Sequence, residues 1–266
     1  MVASLLRPLA VALGALIAVP AAGQQPPDRV ALAYDVYTGG LQVIEFGLDI
    51  GLDATRYDVL TRLKTRGFYA TLFPWEQVSR ATGQVSDQKV APLRYEQRGR
   101  FRGSERTVDI DFRSGRVADI RVVPTAADDN DREVLSSDDV LGAVDPLSGV
   151  VSMLIRVNRG DRCEGSYDGF DGRRRFNIAF TDRGPERVEG GGAGTVAGQA
   201  RGCSFVWRQT GGFVRRVTWG ADRQREPQTG RVWLAEAIAR APVVPIKVEI
   251  DSNWGRTLAY LRRPAP

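Results

Sequence analysis

Apolar and polar residues alternate with a period of two along most of this chain. Ile44, Phe46, Leu48 and Ile50 share one side of an extended run. Tyr57, Val59, Thr61 and Leu63 share another, opposite Asp58, Arg62 and Lys64. Val108, Ile110 and Phe112 alternate with Thr107, Asp109 and Asp111, and Phe176, Ile178 and Phe180 with Arg175 and Asn177. Val244, Ile246, Val248 and Ile250 alternate with Lys247, Glu249 and Asp251. Successive side chains of a strand point to opposite faces. The pattern therefore predicts antiparallel strands packed on one side and wet on the other.

Turn residues separate these runs. Gly39-Gly40 divides the first two strands, Ser114-Gly115 sits between Phe112 and Val117, and Asn253 to Gly255 divides the last two. Strands joined in sequence by tight turns give an up-and-down sheet, which tends to curl to hide its edges. One segment departs from the period. In DPLSGVVSMLIRVN, Leu147, Val150, Val151, Leu154 and Ile155 recur at i, i+3, i+4, i+7 and i+8. That spacing predicts a helix from about Pro146 to Val157, with Asp145 as N-cap and Pro146 at the first helical position. Its apolar stripe needs a partner, and the concave face of the sheet is the one available. The expected fold is mainly β: one long curled antiparallel sheet carrying one α-helix.

The N-terminus has a different character. Arg7 precedes an apolar run from Leu9 to Val19, and Ala21-Ala22-Gly23 supplies small residues before Gln24. This is the layout of a secretory signal peptide spanning residues 1–23, with cleavage before Gln24. No Cys follows it, so lipid anchoring of the bacterial lipoprotein type is not expected, and no later apolar run is long enough for stable membrane insertion. Residues 24–266 are expected to form a single all-β domain in the periplasm.

Charge and chemistry narrow the function further. The net charge is +5, and only Lys64, Lys89 and Lys247 of the basic residues are lysine. The charges are interspersed, which argues against a nucleic-acid partner. The chain has no histidine. Ser-His-Asp and Cys-His catalysis and histidine-ligated zinc are thereby excluded. The acidic stretch Asp128 to Asp139 lacks the spacing of a calcium loop and reads as a solvated loop. Gly190 to Gly194 lacks the flanking elements that phosphate binding requires. No cofactor, metal or catalytic residue is expected.

The stretch from Cys163 to Phe176, CEGSYDGFDGRRRF, combines a cysteine, acids and three arginines. Cys163 and Cys203 are the only cysteines. In an oxidising compartment such a pair predicts a disulfide rather than a reactive thiol, since the chain has no histidine to activate a nucleophile. Asp168-Gly169 and Asp171-Gly172 are turn dipeptides, so the stretch reads as a disulfide-anchored turn entering a strand.

The motifs YDVYTGG with LQVIEFGLDI, DPLS, and C-x-G-x-YDG-x-x-x-RRF followed by a distal Cys resemble a family of bacterial periplasmic domains of unknown function, found in alphaproteobacteria. The resemblance runs from about Tyr34 to Leu261. It implies an open or spiral barrel similar to envelope-integrity proteins of the EipB type and to the lipoprotein carriers LolA and LolB. It implies no catalytic residues.

Two non-enzymatic functions follow as expectations. One is a periplasmic module that binds or carries an apolar ligand, a lipid or acyl chain. Its candidate lining is Trp75, Phe205, Trp207, Trp233, Leu147, Val151 and Leu154. Phe205 and Trp207 share a strand face, and Trp233 beside Leu234 makes a strand apolar on both sides, as in a sheet covered twice. Trp219 and Trp254 add to the aromatic content. The other is an envelope structural or protein-interaction module, drawing on the Arg98, Arg100 and Arg102 face, with envelope proteins as partners. An enzyme would rest on generic carboxylates alone.

Overall fold

The computed structural model describes residues 29–263 apart from 87–88, 126–127, 130–131, 193, 216–221, 239–240 and 253–254. The expected signal peptide, its cleavage site, Trp219 and Trp254 lie outside the described residues.

The strands are β1 (Arg29–Thr38), β2 (Leu41–Leu52), β3 (Arg56–Thr65), β4 (Trp75–Ser86), β5 (Lys89–Phe101), β6 (Ser104–Arg113) and β7 (Arg116–Val123), then β8 (Gly165–Phe170), β9 (Arg175–Val188), β10 (Gly198–Gly211), β11 (Gln228–Ala235), β12 (Val244–Ser252) and β13 (Gly255–Leu261). A short helix α1 (Gly67–Leu72) joins β3 to β4, and α2 (Pro146–Asn158) precedes β8. A 3-10 turn covers Asp222–Arg225.

All thirteen strands belong to one antiparallel sheet in the order β7-β6-β5-β4-β3-β2-β1-β13-β12-β11-β10-β9-β8. The chain walks outward from β1 to one edge at β7. It then crosses through α2 to the far edge at β8 and walks back until β13 pairs with β1, Tyr34 opposite Leu261. Every other pairing is a hairpin with its neighbour in sequence. Three two-residue turns, Gly39-Gly40, Arg102-Gly103 and Ser114-Gly115, have positive φ at both positions. Right-twisted hairpins favour that geometry.

The alternation translates into faces as expected. Leu48, Ile50, Tyr57, Val59, Val108, Ile110, Phe112, Val244 and Ile246 are buried in one core. The opposite face carries charges that pair across strands: Arg62 with Asp49, Arg80 with Asp58, Arg94 with Asp111 and Arg98 with Asp109. Such exposed pairs contribute little stability each. Arg102 is not on the Arg98 and Arg100 strand face but in the turn after β5, with its guanidinium over Phe73.

α2 forms where its stripe and cap predict. Asp145 accepts hydrogen bonds from the Leu147 and Ser148 backbone N–H groups at 3.0 and 2.9 Å, and Pro146 opens the helix. Val151, Leu154 and Ile155 are buried against the concave face. The Gly149 backbone lies so close to β8 that an added Cβ would stand 2.2 Å from the Tyr167 ring. α1 was not foreshadowed by the periodicity, because six residues are too few to display one. Its Phe68 and Leu72, with Leu41 at the start of β2, are exposed.

The sheet is not closed by hydrogen bonds between β7 and β8, but its ends meet. A Cβ on Gly172, in the β8–β9 turn, would stand 2.5 Å from Val108 and 3.1 Å from Val122. The Arg173 guanidinium donates to the Val123 and Pro124 carbonyls at 2.8 and 2.9 Å. Val144 pairs with Gly169 and covers the free edge of β8. The acidic loop is not simply solvated: Asp129 is buried, because Arg106, Arg132 and Arg173 surround it.

Cys163 and Cys203 are bonded, tying the segment before β8 to β10. No free cysteine is present among the described residues. The bond closes a loop across 40 residues of sequence, for which loop-closure entropy gives roughly 4 kcal/mol. Cys163→Ser is expected to lower stability by about 2–5 kcal/mol, read from the urea midpoint. Thiol labelling of the denatured, unreduced wild type should find no free thiol. Leu154→Asp places an unpaired charge beneath α2 and should leave no cooperative thermal transition at all. A variant as stable as wild type would mean that α2 does not bear on the core.

Candidate functional site

A cavity of about 420 Å³ lies between α2 and the sheet. Its floor is built from alternating positions on one face of β1, β2 and β3: Tyr34, Val36, Ile44, Phe46, Leu48, Ile50, Val59, Thr61 and Leu63. Val248, Ile250, Thr257 and Ala259 of β12 and β13 form one wall, and Trp75 at the start of β4 another. Leu147, Val150, Val151 and Leu154 of α2 form the roof. Nearly every lining group is apolar, and the hydroxyls of Thr61 and Thr257 are held elsewhere, by the Ser79 carbonyl and Thr38. Apolar cavities with no partners for water stay dry or take apolar ligands.

Of the residues predicted to line a ligand site, the structure brings four together here: Trp75, Leu147, Val151 and Leu154. Three lie elsewhere. Phe205 pairs with Gly230 and Phe180, in an aromatic cluster beyond the cavity wall. Trp207 packs on Phe176, with the Arg174 guanidinium 5.9 Å above it. Trp233 is buried on the outer face of β11, opposite Lys247. No second layer covers it among the described residues. Instead the Lys247 ammonium and the Arg231 guanidinium lie over its ring at 4.8 and 5.4 Å, and its indole N–H donates to Glu186 at 2.8 Å. Long basic side chains bury apolar surface in this way while keeping their charge in water.

A second compartment of about 570 Å³ adjoins the apolar cavity. Phe46, Thr61, Trp75 and Leu147 line both. The rest of its lining is mostly polar: Gln77, Ser79 and Gln97 of β4 and β5, Arg106 of β6, and charged residues of the arginine motif and the acidic loop, which sequence reading assigned to a turn and to solvent. Arg106 donates to both oxygens of Asp129 at 2.9 and 3.2 Å. The Nε atoms of Arg173 and Arg132 lie 3.5 and 3.6 Å from the same carboxylate. Burial would raise the Asp129 carboxyl, but the Arg106 hydrogen bonds and the three guanidinium charges hold it below the usual range. Asp171 accepts from the Arg173 and Arg174 backbone N–H groups and from Arg174 Nε at 3.0, 2.7 and 2.8 Å. Burial would raise it too, and Arg174 with those N–H groups lowers it.

One acid behaves oppositely. Asp145 is fully buried under α2, and burial pushes its carboxyl up to about 6 despite the N–H donors of the helix. Ser148 donates to it, and Tyr57 in turn meets the Ser148 hydroxyl at 2.6 Å. An unfolded Asp titrates near 3.9, so between roughly pH 4 and 6 the native state binds the extra proton. This group therefore opposes folding increasingly as pH rises through that window, by on the order of 3 kcal/mol above it. Asn is an equally good N-cap without the titration. Asp145→Asn is expected to gain stability relative to wild type between pH 4.5 and 7, measured from urea midpoints at both. The depressed carboxylates are common to both proteins and cancel in the comparison. Equal shifts in both proteins would overturn the assignment.

Cys163, Asp182 and Cys203 cluster within 4.8 Å, but the sulfurs are bonded to each other and Asp182 is paired with Arg201 at 2.7 Å. The cluster is structural. No helix among the described residues is long and apolar enough to cross a membrane.

No curated protein matches this sequence. Among solved structures, the chain is similar to a crystal structure of a beta-barrel-like protein, of the domain of unknown function DUF1849, from Brucella abortus. The TM-score is 0.51 at 12% identity, covering 90% of this chain and 96% of that one. That likeness shows a barrel-like fold. A family profile described as protein of unknown function, DUF3108, matches residues 33–262, nearly all of the described sheet, and this chain belongs to that family.

Proposed function

We propose that this protein is a non-enzymatic module of the cell envelope, exported to the periplasm, that holds an apolar ligand such as a lipid or acyl chain between α2 and the sheet. The observation that carries this reading is the cavity of about 420 Å³ walled by apolar side chains from six strands and one helix. Its volume lies in the range of small-molecule sites. The non-enzymatic part rests on chemistry: the sequence has no histidine, its two cysteines are bonded, and the acids near the cavity are tied up by arginines or by the α2 cap. Export rests on the pattern of residues 1–23.

A second reading, an envelope interaction module without a small ligand, draws on the exposed apolar group of Leu41, Phe68 and Leu72 at one end of the sheet.

Native mass spectrometry of protein purified from its own host tests both. The carrier reading expects a chain beginning at Gln24 with an extractable adduct of lipid mass. Val150→Phe, which fills the cavity from the helix side, should remove the adduct and leave the fold intact. A wild-type protein of bare chain mass, unchanged after incubation with lipid extract, would favour the interaction module. Retention of residues 1–23 would overturn export.

A further inference from the structure

We propose that the arginine-lined compartment beside the cavity is the site for the oxyanion head, carboxylate or phosphate, of a single-chain amphiphile whose tail occupies the apolar cavity. This rests on the carrier reading and names its ligand class.

The two compartments form one amphipathic space. They share Phe46, Thr61, Trp75 and Leu147, so a chain lying on the cavity floor emerges past Trp75 into the polar part. That part is lined by four guanidinium groups, Arg106, Arg132, Arg173 and Arg174, against two carboxylates, Asp129 and Asp171. Among the described residues the imbalance is two positive charges within one pocket. Burying a charge without a counter-charge is costly. The strain is visible in the residues themselves. Burial is the main cause that pulls Arg132 and Arg173 below the ordinary guanidinium value, and Asp129 only partly offsets it. The Arg173 side chain is only 9% exposed, and the Nε atoms of Arg106, Arg132 and Arg173 are buried with no hydrogen-bond partner.

Closing the sheet does not require this excess. Arg173 alone carries the hydrogen bonds to the end of β7, and Arg174 is matched by Asp171. Arg106 and Arg132 share a single carboxylate with Arg173. An anion supplies the missing charge, and guanidinium forks match the planar or tetrahedral oxygens of carboxylate and phosphate.

Volume limits the tail. A water-sized group takes about 30 Å³ of liquid volume. A methylene is of similar size, so about 420 Å³ suits one acyl chain and not two.

Isothermal titration of delipidated full-length mature protein with dodecanoate, dodecyl phosphate and dodecanol tests the proposal. Wild type should bind at least one of the two anionic ligands tenfold or more tighter than the alcohol, and the tighter one identifies the head. Arg106→Gln should abolish that discrimination while changing dodecanol affinity less than twofold. Arg174→Gln, at the partly exposed side of the compartment, gives the same readout should Arg106→Gln fail to fold. Equal affinity for all three ligands, unaltered by either variant, would overturn the head-group site and leave the carrier reading standing. Binding of none of the three would overturn the carrier reading itself. Inorganic phosphate binding as tightly as dodecyl phosphate would mean a free-anion site, and would overturn the amphiphile.

Discussion

One helix has to fill the concave side of thirteen strands. α2 has 13 residues, about 20 Å of helix, and only one stripe of it faces the sheet. Its C-terminal half fills its share of that space well, with Met153, Leu154, Ile155 and Val157 all buried. The cavity side of its first turns does not. Leu147 and Val150 remain only partly covered, and beneath them the sheet curves away to leave the cavity. The void thus follows from element lengths. A sheet wide enough to bring β7 round to β8 has more concave surface than this helix can cover.

The second constraint is the pair of free edges. An up-and-down sheet that does not close must protect β7 and β8 from pairing with other chains. Here the protection is made of side chains and loops. Arg173 caps the carbonyls at the end of β7, the β8–β9 turn abuts Val108 and Val122, and Val144 takes the outer side of β8. The same arginine that finishes the seam also stands at the bottom of the polar compartment. Closure of the sheet and two of the four guanidinium groups of the proposed head-group site therefore come from one turn, residues Asp171 to Arg175.

Much of this was legible in the sequence, for a definite reason. Strand faces and the α2 stripe are set by period, and period is local. The alternations through Ile44–Ile50, Tyr57–Leu63 and Val244–Ile250 correctly named the residues that face inward, and Asp145-Pro146 marked the start of α2. What the sequence hid depends on partners far along the chain. Asp129 looked like part of a solvated acidic loop because Arg106 and Arg173, 23 and 44 positions away, are not neighbours until the sheet curls. Trp233 looked like evidence of a second covering layer. Its cover is two basic side chains and Glu186, contributed on the outer face by β11 itself, β12 and β9. Phe205 and Trp207 do share a face, but their rings pack on β9 and, for Phe205, on Gly230 of β11 rather than at the cavity. Aromatic character alone does not say which part of a wide sheet a residue reaches.

The size of the void bears on whether it is an accident of packing. Cavities left in protein cores have cost about 24 cal/mol per Å³. The space of about 420 Å³ is only partly enclosed, so it costs less than a sealed void of that size, but its apolar walls still lack the contacts that packed side chains would supply. A single substitution such as Val150 to a larger apolar residue would recover some of those contacts without disturbing the cap or the seam. The chain instead places small and medium side chains at the first turns of α2, and sets a surplus of guanidinium groups at the open end of the same space. Both features weaken the empty protein, one through lost contacts and the other through uncompensated charge. A single-chain amphiphile with an anionic head relieves both at once, tail against the apolar walls and oxygens against the arginines. Two independent sources of instability with one common remedy are what separates a binding site from a packing defect.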